Sequence, residues 1–164
     1  MPVTVDVSDY RALYALTRGM QPKIRRAFRK RLRDAGSIGA RAAKAKIREW
    51  PATGGRYSVA GHGRHFRARP AGLRSTLAAN ITVTAGRSNV AIRQRSRGLS
   101  GHNARDLPRD IDRGGWWHPV YGHHATKVFQ TGWPYFKDEI SGKRDEMLSA
   151  VTPIFDDIAR ELRR

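Results

Sequence analysis

GGWWHPVYGHHATKVFQTGWPYF, residues 114–136, concentrates three of the four Trp (Trp116, Trp117 and Trp133) with Tyr121, Phe129, Tyr135 and Phe136. His118, His123 and His124 lie in the same stretch. Pro119 and Pro134 each fix φ near about −65° and remove a backbone donor. Gly114, Gly115, Gly122 and Gly132 take bends that other residues resist. This composition predicts neither a regular helix nor a long strand. It predicts a rigid, aromatic-packed loop that delivers the chain into a helix starting near Pro134, since proline suits a first helical turn.

Downstream, Phe136, Ile140, Met147, Val151, Ile154, Phe155, Ile158 and Leu162 recur at helical spacing, so residues 137–164 are expected to form a C-terminal amphipathic helix. Pro153 removes one donor inside it and predicts a kink or restart near Thr152. Upstream, residues 96–115 hold Gly98, Gly101, Pro108, Gly114 and Gly115 and read as an extended loop. Before that, ITVT (81–84) and NVAIRQ (89–94) alternate around Ala85-Gly86-Arg87-Ser88, a hairpin signal. Ile81, Val83, Val90 and Ile92 should face the core, and Leu73, Leu77 and Ala78 suggest a brief helical turn ahead of them.

Pro22 opens a long helix reaching Trp50, with Ile24, Phe28, Leu32, Ala35, Ile38, Ala42, Ala45 and Trp50 as its apolar stripe. Gly36 and Gly39 interrupt it, allowing a bend or a close approach of another helix. At the N-terminus, Val3, Val5 and Val7 alternate as in a short strand over Pro2–Val7, or an arm that pairs with a neighbouring subunit. Ser8 and Asp9 then offer caps for a short helix ending near Gly19. Residues 51–72 show no sustained period and read as a second loop. The fold class expected is α+β in one domain, residues 1–164. A long N-terminal helix and a C-terminal amphipathic helix pack on a small antiparallel β-sheet, sandwiching its apolar face, with two long loops at 51–72 and 96–115.

Charge is the strongest compositional signal: 32 Lys and Arg against 14 Asp and Glu, a net of +18. Residues 137–164 carry six basic and seven acidic side chains, which leaves +19 for residues 1–136. Between Lys23 and Arg33, seven of eleven residues are basic, and Asp34 and Glu49 are the only acids on the long helix, so pairing within the helix cannot neutralise the run. Arg25, Arg26, Arg29, Lys30 and Arg33 are therefore candidates for contact with DNA phosphate or an acidic partner. Arg64, Arg67 and Arg69, interleaved with Tyr57 and Phe66, add a basic arm of the kind that binds nucleic acid or clasps a neighbouring subunit.

No apolar run is long enough for a membrane span, and MPVTVDVSDY lacks the pattern of a signal peptide. The lack of cysteine excludes disulfides and Cys-ligated metal. A metal site at His118, His123 and His124 with Asp110 and Asp112 lacks an H-E-x-x-H pair, and adjacent His on a loop usually point apart. A His-Asn-His type nuclease needs a later His or Asn, and none follows His124. A small basic nucleic-acid-binding protein, or a metal-independent ribonuclease using His with Arg and Lys, stays open as the alternative. No helix-turn-helix or zinc motif appears, so any DNA contact is expected at phosphate, indifferent to sequence.

The order W-x-HPVYG, then a Gln, then W-P-Y-F ahead of a terminal amphipathic helix resembles the tail-completion (neck) proteins of long-tailed bacteriophages. Here it is carried by Trp116 or Trp117, His118, Pro119, Val120, Tyr121, Gly122, Gln130, Pro134, Tyr135 and Phe136. The resemblance implies a virion structural protein of the head–tail junction, assembled in the host cytoplasm, with no catalytic residue, metal or cofactor to carry over. It implies a homo-oligomeric ring around the DNA passage. Other neck and tail proteins (connector, tail terminator and tail tube) would be its partners, with non-specific phage DNA contact and no membrane. Two long loops also make more sense when adjoining subunits order them, and cyclic closure is the common solution. Trp116, Trp117, His118, Pro119, Tyr121, Trp133, Tyr135 and Phe136 are the residues expected to pack that subunit interface.

Overall fold

The computed structural model describes residues 2–5, 22–50, 72–86, 89–99, 105–120 and 123–162. Within them the fold is α+β: helical segments, the longest near the N-terminus, and two small antiparallel sheets. The expected short helix ending near Gly19, residues 51–71 of the first loop, and residues 100–104 of the second lie outside the described residues.

The long helix, α1, spans Pro22–Glu49 and runs uninterrupted through both glycines. A 28-residue helix extends about 42 Å at 1.5 Å per residue. Phe28, Leu32, Ala35 and Trp50 are buried as expected, and Ile38 packs partly against the core. Ala45 is exposed and Ala42 half-buried, while Ala40, Ala43 and Ile47 are buried instead. The apolar stripe turns along the helix because its neighbours change. The sheet and the C-terminal helices cover its middle, and a short helix, α2 (Leu73–Ala79), covers its end through Leu77 and Ala78. Arg74 Nη1 fixes that end by donating to Trp50 O at 2.8 Å.

Gly36 and Gly39 serve approach rather than bending. A Cβ at Gly36 would lie 2.7 Å from Val90 Cγ1 and 2.8 Å from Val83 Cγ1. At Gly39 it would lie 3.0 Å from Ile92 Cδ1, 3.1 Å from Met147 Sδ and 3.3 Å from Ile140 Cγ2. The sheet and the C-terminal helices therefore converge on these two positions. The expected sandwich is corrected accordingly: α1, not the sheet, is the partner common to both layers.

The first sheet has the order β1-β3-β2, with β1 at Pro2–Val5, β2 at Ile81–Ala85 and β3 at Val90–Gln94. Its register aligns Val3 and Val83 with Ile92, and Val5 and Ala85 with Val90. Ile81, Val90 and Ile92 are buried and Val83 packs partly against the core, as the alternation predicts. The N-terminal strand closes within its own chain, which replaces the inter-subunit arm considered above.

Three further expectations are corrected. Residues 96–115 contain a helix, α3 (Leu107–Asp112), whose Ile111 is fully buried. Only Leu107 and Ile111, four apart, mark it in the sequence, too few for a periodic signal. The aromatic stretch is no loop for most of its length: β4 (Gly115–Val120) and β5 (His123–Thr131) form an antiparallel ribbon. Pro119 is tolerated because a two-stranded ribbon leaves outward-facing positions unpaired, and the register shifts between Pro119 and Val120. Lastly, the single C-terminal helix is three: α4 (Lys137–Gly142), α5 (Arg144–Val151) and α6 (Pro153–Leu162). Pro153 makes the foreseen restart, and a second break falls at Lys143 after Gly142, a poor helix former. Ile140, Met147, Val151 and Ile154 still bury one face.

Candidate interaction surfaces

The β4–β5 ribbon is rooted in the core, and its described side chains from Lys127 to Thr131 are exposed. At the root, Gly132 N donates to Gly114 O and Trp133 N to Ile111 O, both at 2.9 Å. Gly114 and Gly115 sit at φ +101° and +143°, which favours glycine and sets the turn from α3 into β4. The Asp112 carboxylate then crosses to the other side of the ribbon. Its Oδ1 accepts from Tyr135 N at 2.9 Å and Phe136 N at 2.6 Å, and its Oδ2 from Lys137 N at 3.3 Å. Those are orphan donors at the start of α4, so an aspartate 25 residues upstream in sequence caps the helix. The sequence offered Asp112 only as a metal ligand; its structural role needs the tertiary fold to be seen.

Tyr135 and Phe136 are fully buried and meet edge to face at 6.2 Å. They pack inside their own chain and have no surface to offer a neighbour, which corrects their place among interface residues. The Tyr135 hydroxyl has no hydrogen-bond partner among the described residues. Burial first, and the Asp112 carboxylate second, push its pKa well above the ordinary tyrosine value. Trp133 is half-buried against the core, its indole N–H also without a partner among the described residues. Lys46 Nζ lies 5.4 Å from the centre of the Trp133 ring and 3.6 Å from Glu139 Oε1, joining α1, the ribbon root and α4.

Farther out, Trp116 packs partly against the core from one face of β4. Trp117 on the other face is 62% exposed, and its cross-strand partner Phe129 is 51% exposed. Their ring centres stand 5.4 Å apart at 60°. Val128, on the opposite face, is also exposed, as is every described side chain from Lys127 to Thr131. The pair leaves apolar area open to solvent, while the Phe129 ring also lies over Gly115. The side chains of His118 and Pro119 and all of Tyr121 lie outside the described residues. Phe129 was visible in the sequence among the ring-bearing residues, yet only its pairing with Trp117 marks it as a surface residue.

The second surface is the outward side of α1. Arg26, Arg29, Lys30 and Arg33 are exposed and Arg25 is half-buried. Lys30 Nζ pairs with Asp34 Oδ2 at 3.0 Å, both side chains largely in water. Arg25, Arg26, Arg29 and Arg33 make no ion pair among the described residues. An open groove of about 320 Å³ between α1 and α5, lined by Ala27, Lys30, Arg31, Asp34 and Ala150, presents this same mixed charge. Arg64, Arg67 and Arg69 lie outside the described residues. Among the described residues no helix is long and apolar enough to cross a membrane.

No protein family, curated protein or solved structure matches the chain.

Proposed function

We propose that this chain is a structural protein of the head–tail junction of a long-tailed phage, one subunit of an oligomeric ring that joins tail to head around the DNA passage. The observation that carries the reading is the exposed Trp117–Phe129 pair. It stands on the very ribbon whose sequence resembles the neck proteins, and its two rings offer a neighbour a ready apolar anchor. Aromatic anchors of this kind supply a large part of the affinity of protein interfaces. The root of the ribbon is tied to the body by Trp133 N donating to Ile111 O and by Lys46 beside the Trp133 ring, which limits the freedom lost when the anchor binds. Partners on this reading are further copies of the chain and the connector, tail terminator and tail tube, and the particle's neck is its location.

Light scattering on the chain alone, and on mixtures with purified phage neck and tail components, tests it. Wild-type protein should assemble or join those particles, and Trp117→Ala with Phe129→Ala should weaken assembly by roughly 30-fold or more, as loss of a hot spot does. A monomer that joins no component and cleaves RNA, with activity lost in His118→Ala, would establish the ribonuclease alternative instead.

A further inference from the structure

Beyond the arginines already named, the exposed side of α1 is ordered. Positions 26, 30, 33, 37, 41, 44 and 48 step by three or four residues and so form one ridge along the helix. Arg26, Lys30, Arg33, Arg41, Lys44 and Arg48 fill six of these places, with Ser37 the seventh. Lys44 is half-buried and the other five cations are exposed. Lys30 is paired to Asp34, while Arg26, Arg33, Arg41, Lys44 and Arg48 make no ion pair among the described residues. From 26 to 48 the ridge runs about 33 Å at 1.5 Å per residue.

We infer that this ridge is a binding surface for the phosphate backbone of duplex DNA, engaging about five phosphates with no readout of bases. The length matches one turn of B-DNA, about 34–36 Å. Each strand presents a phosphate about every 3.4 Å of axis, so a ridge of this length lies within reach of phosphates of both strands where their backbones face it. The ridge carries no apolar side chain. An acidic protein partner would be expected to find an apolar anchor, whereas protein–DNA interfaces are polar and strongly positive. Ser37 Oγ is turned onto its own helix, donating to Arg33 O at 2.8 Å, and leaves the cations as the ridge's chemistry. The inference adds a partner to the neck assembly proposed above and does not require it.

Fluorescence anisotropy with two labelled duplexes of unrelated sequence, from 50 to 200 mM salt, reads the surface directly. Both duplexes should bind equally, with affinity falling about 500-fold over that range for five phosphates and about 12-fold once three are lost. Arg33→Gln/Arg41→Gln/Lys44→Gln is the variant that removes three. Arg93→Gln/Arg95→Gln/Arg97→Gln removes the same charge from exposed positions in and just after β3 and should keep the wild-type salt dependence. Circular dichroism checks that both triple variants fold, and Arg41→Gln alone, which should cut the salt dependence about 3.5-fold, repeats the test if the ridge triple does not. Equal effects of the two triple variants, no duplex binding at 50 mM salt, or tighter binding of polyaspartate than of DNA would each overturn the inference. A ring that ignores DNA defeats this inference and leaves the neck reading standing. A monomer that binds DNA through the ridge does the reverse.

Discussion

Replacing Asp112 with alanine would take the acceptor from three backbone N–H groups at once, and the structure sets how much that costs. The bonds from Tyr135 N and Phe136 N are short and partly buried, whereas that from Lys137 N is long and exposed and contributes little. A hydrogen bond to a charged group is worth about 1.5–3 kcal/mol net, so the two strong ones bound the loss at about 6 kcal/mol. Asp112 is itself only half-buried, and water can restore part of this. A loss near 3 kcal/mol follows, or about 6–12 °C in Tm for a chain of this size. Asp112→Asn keeps Oδ1 as an acceptor while losing the charge and Oδ2, and should cost about 1 kcal/mol. Urea unfolding of the three proteins checks both size and order. An alanine variant within 0.5 kcal/mol of wild type, or an asparagine variant as weak as the alanine one, would show that the carboxylate does not hold the start of α4.

Tyr135→Phe removes a buried hydroxyl that has no partner among the described residues, so stability should hold or rise by about 1 kcal/mol. Because the folded protein raises the Tyr135 pKa, its neutral phenol stabilises the fold below about pH 10, and that contribution is lost as the unfolded chain ionises above it. Urea midpoints of wild type should therefore fall faster than those of Tyr135→Phe between pH 9 and 10.5. Gly36→Ala gains about 1 kcal/mol of helix propensity but forces a methyl onto two stiff valines, for a net loss of about 1–2 kcal/mol. Gly39→Ala meets the ends of Ile92 and Met147 and, at 3.3 Å, the branched Cγ2 of Ile140, so it should cost less than Gly36→Ala, and thermal melts of the pair test that order. Trp117→Ala, at a largely exposed position, should change the unfolding free energy by no more than about 1 kcal/mol. A larger drop would mean that the rings serve the fold rather than a partner.

The elements with a long or strict apolar period were legible from sequence. Pro22–Glu49, the 81–94 hairpin and the restart at Pro153 all follow from spacing and proline chemistry. What escaped depends on contacts far apart in the chain. Leu107–Asp112 has two apolar residues, and its Ile111 is defined by the core it enters. The ribbon is hidden because prolines and glycines flank it and neither of its faces is uniformly apolar: Thr126, Val128 and Gln130 share one, Lys127, Phe129 and Thr131 the other. Tyr135 and Phe136 look like their neighbours Trp116 and Trp117 in sequence, yet the Asp112 cap draws the first pair inward while the ribbon carries Trp117 out. An aromatic cluster can be read from a sequence, but its division into inside and outside cannot.

Lys46 stands near the end of α1, beneath Trp133 and beside Glu139, and this has a mechanical reading. A pull on β5 reaches Trp133 just past its end, and the Lys46 contacts are one route by which it passes to the long helix. The strand that carries Phe129 and the helix that carries the exposed cations thus share one contact cluster, where strain on one element meets the other.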